Sequence, residues 1–67
     1  MKTKDLIKLL DSYSADGYTI LSVCVSESEN RLSILYKKDK ATRCDFFKYA
    51  TEFETWCIEK TQVIAKG

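Results

Sequence analysis

The chain has 67 residues, 45% hydrophobic, 12% aromatic and 31% charged, with no histidine, no proline, two glycines and three cysteines. That length allows one domain, residues 1–67, too small to bury a large core unaided. A formal net charge of +1, from 11 basic and 10 acidic residues, excludes a strongly acidic nucleic-acid mimic and a generally basic nucleic-acid binder. The absence of histidine removes the commonest general base and the commonest metal ligand.

The apolar content is that of a folded domain. Apolar runs of four residues or fewer predict no membrane-spanning helix and no secretory signal. Cys24, Cys44 and Cys57 are odd in number and form no CxxC pair. This spacing predicts neither a disulfide scaffold nor a metal site. A reducing cytoplasm, of a cell or of an infected host cell, is the expected setting.

A first helix is predicted from about Thr3 to Ala15. Thr3 caps it, and Asp5 suits the positive end of the dipole. Leu6, Leu9, Leu10 and Tyr13 share one face, and Gly17 is the left-handed stop. Tyr18–Ser26 and Arg31–Lys38 alternate as two strands joined by the polar turn Glu27–Asn30. With Ser26 opposite Arg31, the pairs Val25–Leu32, Val23–Ile34 and Leu21–Tyr36 fall on one face. Asp39-Lys40-Ala41 is a turn, and Thr42 to Asp45 has the form of a capping box. A second helix is predicted to about Ile64, with Phe46, Tyr49, Ala50, Phe53, Trp56, Cys57 and Ile64 in one stripe. The alternative for Thr61–Ala65 is a short third strand, since Thr, Val and Ile suit a pleated sheet.

These elements predict an α+β, two-layer α-β-β-α fold, an antiparallel hairpin with two helices packed on one face. The expected core is Leu6, Leu9, Leu10, Tyr13, Leu21, Val23, Val25, Leu32, Ile34, Tyr36, Phe46, Tyr49, Phe53 and Trp56. The hairpin's second face would carry Tyr18, Ile20, Cys24 and Leu35, with Ser22, Ser33, Arg31 and Lys37 among them. Phe47 and Ile58 fall off the stripe of the second helix. Tyr18, Ile20, Cys24, Leu35, Phe47 and Ile58 are therefore the candidate protein-contact residues. Their partner would be another protein or a second copy of the chain, the latter joined edge to edge.

Lys37, Lys38, Lys40 and Arg43 form a basic turn at the start of the predicted second helix, where free N–H groups favour anions. They are the candidate anion-binding residues for a phosphate or nucleic-acid backbone; the bland reading is a solvated turn. Cys44, in the first turn beside Arg43, is placed where a thiol pKa falls. With no histidine to serve as base, it predicts no catalysis.

The segment Lys4-Asp5-Leu6-Ile7-Lys8-Leu9-Leu10, followed by Gly17 and a hairpin, resembles the start of the small HicA-type mRNA interferase toxins over about a quarter of the chain. That family relies on a histidine in a glycine-serine-histidine segment of its hairpin. With no histidine in this chain, the resemblance transfers no catalytic residue.

The expected function is that of a small non-enzymatic protein-interaction module without cofactor. Small size without catalytic equipment fits an adaptor or inhibitor of phage or mobile-element type. The alternative expectation is a nucleic-acid or phosphate-binding module using the basic turn.

Overall fold

The computed structural model describes residues 2–66. The N-terminal pattern forms one helix, α1 (Lys2–Ala15), with Asp5 in its first turn. Leu6, Leu9, Leu10 and Tyr13 turn inward, as their spacing predicts. The helix ends where the chain turns left-handed at Gly17, φ 81°. The Tyr18 N–H donates to the Tyr13 carbonyl at 3.0 Å and the Gly17 N–H to that of Ser14 at 3.1 Å. This paired closure serves carbonyls that a helix end leaves open. It also brings the Tyr13 and Tyr18 rings together, edge to face at 5.6 Å.

Strands β1 (Thr19–Ser26) and β2 (Arg31–Lys38) form the predicted hairpin. Asn30 closes its turn at φ 54°, a conformation asparagine tolerates. The predicted register holds from Ser26–Arg31 through Val23–Ile34 and then breaks. A bulge at Leu21 sets Ser22 opposite Leu35 and Ile20 opposite Tyr36. The extra residue changes which side chains face the core. Leu21 is left 53% exposed, and Ile20 takes the place predicted for it.

The second half of the chain overturns the predicted fold. No second helix forms; β3 (Ala41–Ala50) and β4 (Thr55–Lys66) continue the chain as strands. The sheet has four antiparallel strands in the order β1-β2-β3-β4. The fold is one helix on a four-stranded meander, mostly β, not two helices packed on a hairpin. Thr42 to Asp45 is strand rather than capping box. The strand reading of Thr61–Ala65 is the correct one, as part of a strand beginning at Thr55.

The reason is visible in the alternation Arg43, Asp45, Phe47, Tyr49. These side chains share the helix-covered face of β3, but two of them are charged, which hides the period of two. The competing stripe of Phe46, Tyr49, Phe53 and Trp56 has helical spacing by coincidence. The wealth of Thr, Val, Ile and aromatic residues after Ala41 suits a pleated surface. The turn Asp39-Lys40 then joins two strands directly, with Asp39 at φ 55°.

Tyr13, Leu32, Ile34, Tyr36, Phe47, Tyr49 and Trp56 are buried. Ile34, fully enclosed, marks the centre. Leu21, Val25 and Phe53, expected in the core, are exposed. Phe46 lies on the opposite face of β3 from Phe47, half-buried. The core also holds a charged residue that the apolar pattern did not reveal. Asp45 is 6% exposed and accepts hydrogen bonds from the Tyr13 hydroxyl, the Tyr36 hydroxyl at 3.1 Å and the Thr61 hydroxyl at 2.8 Å. Removing a carboxylate from water is costly unless such donors replace the water. Burial above all, then the hydrogen bond to Asp45 and its charge, push the Tyr13 hydroxyl far above the usual tyrosine range. Burial and the Asp45 charge raise Tyr36 likewise.

Candidate functional site

Helix α1 covers one face of the sheet and leaves the other open. The registers place its side chains in rows across the four strands. One row is Cys24, Ser33, Phe46 and Lys60. The next, toward the β1–β2 turn, is Ser26, Arg31, Lys48 and Cys57. On the far side lie Ser22, Leu35, Cys44 and Gln62. Small Ser and Cys side chains on β1 and β2 leave the floor low, while Phe46, Lys60 and Arg31 rise around it. The result is a concavity of about 630 Å³, lined among others by Cys24, Ser33, Arg31, Phe46, Glu59 and Lys60. The ammonium of Lys60 sits 4.7 Å from the centre of the Phe46 ring. Arg31 reaches across to Glu59 at 3.8 Å. Glu59 owes this position to a second bulge, where β3 pairs Phe46 with Lys60 and Phe47 with Ile58 and leaves Glu59 extra.

The predicted contact residues divide between the two faces. Cys24 is exposed and Leu35 half-buried on the open face, as expected. Tyr18 and Ile20 are not on it, because the bulge at Leu21 carries them to the covered side. Tyr18 stacks on Tyr36 at 5.1 Å and accepts a hydrogen bond from Lys38 at 3.3 Å. Phe47 belongs to the core at 5% exposure. Ile58 is exposed on β4, in register with Phe47 on the helix side.

The basic turn is dispersed by the strand that replaces the second helix. Lys37 faces the open side in register with Thr42, Lys38 lies 5.0 Å over the Tyr18 ring, and Lys40 is at the turn. Arg43 is half-buried beside Tyr36, its Nε enclosed without a hydrogen-bond acceptor among the described residues. Cys44 also differs from its predicted setting. It lies mid-strand and half-buried, and burial first, with the Asp45 charge second, pushes its thiol up rather than down.

Sequence reasoning missed Phe46, Lys48, Lys60 and Glu59 as members of the open face. The signal was the run Arg43, Asp45, Phe47, Tyr49, which, read as alternating, places Cys44, Phe46 and Lys48 on the other side. No protein-family model, curated protein or solved structure matches this chain. No described helix is long and apolar enough to cross a membrane.

Proposed function

We propose that this chain is a small non-enzymatic interaction module whose open sheet face receives an acidic surface of another protein. One observation carries the reading. Arg31, Lys37, Lys48 and Lys60 project from that face, with Glu59 the one acid among its described strand residues. A nearly neutral chain has thus concentrated positive charge on the face its helix leaves uncovered. The low Ser and Cys floor gives room for a partner's side chains. Phe46 is the one aromatic among the described residues of this face, and Lys60 already covers it. Single-stranded nucleic acid favours several free aromatic platforms, so a protein partner is the better fit. Three free thiols agree with a reducing compartment such as the cytoplasm.

The test is capture from a nuclease-treated lysate of the source cells, comparing the wild type with the Arg31→Ser/Lys48→Ser variant. The reading expects a defined protein held by the wild type and lost by the variant. Capture that is equal for both, or that nuclease abolishes, overturns it.

A further inference from the structure

Every residue of β4 from Cys57 to Ala65 is exposed. The strand forms one edge of the sheet and pairs with β3 alone. Ile58, Val63 and Ile64 stand on it at about half their full exposure. A long edge strand of this kind is a template for another strand, and natural edges are commonly blunted by charges or bulges. Here a charge pair and a bulge coincide at Glu59-Lys60, and their placement selects one occupant.

We propose that β4 pairs antiparallel with β4 of a second copy, about a two-fold axis passing between Glu59 and Lys60. The argument is one of faces. In a regular strand neighbouring side chains point to opposite sides. The bulge places Glu59 and Lys60 on the same side, as their contacts with Arg31 and Phe46 of the open face record. An axis between them therefore matches faces on both sides of the irregularity. Glu59 meets Lys60 of the second copy, Cys57 meets its Gln62 on the open face, and Ile58 meets its Thr61 on the helix side. The bulge that would obstruct a foreign regular strand is met by its own copy.

An axis through Gln62 also matches faces, but it sets Lys60 against Ile64 and Glu59 against Ala65. The axis at Glu59-Lys60 instead creates two opposite-charge pairs by symmetry, since in an isologous contact each pair occurs twice. In the single chain these charges have little to lose. Glu59 has an exposed arginine at 3.8 Å, a geometry worth little in water. The dimer would also relieve the marginal core of so short a chain.

The test is a charge swap followed by sedimentation equilibrium. The wild type is expected to show a concentration-dependent mass rising toward two chains. Glu59→Lys and Lys60→Glu should each weaken association by about tenfold, because each sets like charges together. The combined variant restores opposite charges and should recover most of the wild-type affinity. A wild type that stays at one chain throughout, or a combined variant no better than the singles, overturns the proposal.

Cross-linking fixes the register. In a Cys24→Ser/Cys44→Ser background, Gln62→Cys should form a disulfide-linked dimer through Cys57 on mild oxidation. Five residues along one strand span about 16 Å, too far for Cys57 to close on position 62 of its own chain. The bond should vanish when Cys57→Ser is added. A dimer that persists without Cys57 places the axis at Gln62 and overturns the proposal. The dimer stands apart from the open-face reading. A monomer that still captures its protein removes the dimer alone, and a dimer that captures nothing removes the open-face reading alone.

Discussion

The covered face of the sheet gathers Ile34, Phe47, Tyr49 and Trp56 around one carboxylate, whereas the open face spreads Ser, Cys, Lys and Arg around one phenylalanine. Both faces contain charge, but they treat it oppositely. Asp45 is enclosed and supplied with three hydroxyl donors, so its position is fixed by other residues. Arg31 and Lys60 remain in contact with water, with one carboxylate at 3.8 Å and one ring at 4.7 Å to hold them. The difference teaches where structure and binding are divided. Polar groups on the covered face are tied to the fold, and those on the open face are left available.

Replacing the central carboxylate should disturb this division most. Asp45→Ala leaves the buried Tyr13 and Tyr36 hydroxyls without their acceptor. The expected loss is about 2–5 kcal/mol, a large part of what a chain this size possesses. Urea unfolding measures it; a loss under about 1 kcal/mol would show that the two faces handle charge alike.

The alkaline limb of stability comes next. Tyr13, Tyr36 and Tyr49 all have raised pKa values, with burial the first cause in each. In the unfolded chain these phenols lose protons around their ordinary value of 10.0. The folded chain retains them to higher pH. Their contribution is thus complete below that value and falls as pH rises past it. Tyr13→Phe should make the decline shallower, and an unchanged slope in a pH series of urea midpoints would contradict the assignment.

A smaller contrast lies in the thiols. Cys44 is half-buried with a raised pKa, while Cys24 and Cys57 are exposed. Alkylation at neutral pH should modify the exposed pair well before Cys44, as mass spectrometry of digested samples would record. The least effect is expected from Arg31→Ser on stability, within about 0.5 kcal/mol. A larger loss would mean that the open face supports the fold as well.

The first half of the molecule was largely legible in the sequence. Leu6, Leu9, Leu10 and Tyr13 specified the helix, Gly17 its end, and β2 followed its alternation. Leu21 went astray because a bulge is a backbone event that alternating residue types do not announce. Asp45 concealed the larger error. A carboxylate at an inward strand position reads as a solvent-facing residue until its donors are known, and these come from Tyr13, Tyr36 and Thr61, distant in sequence. Without that position the aromatic spacing after Cys44 favoured a helix. Of the open face, Cys24, Ser33, Leu35 and Arg31 could be placed from the first hairpin alone. Phe46 required reading β3 as a strand, and Lys60 could not be placed at all, because its face depends on the bulge where β3 and β4 pair.

The three donors to Asp45 also bear on how the chain is made. Tyr13 and Tyr36 precede the aspartate, but Thr61 lies in the last strand. A ribosome delivers residues in that order, so a nascent chain exposes Asp45 before the final strand has left the exit tunnel. Until that strand emerges the carboxylate lacks its Thr61 donor, and the sheet lacks β4. Stable closure of this domain therefore waits until β4 has cleared the tunnel and can dock on β3. Any chain truncated before Thr61 would leave Ala41–Asp45 of β3 without their β4 partners and the central acid incompletely served.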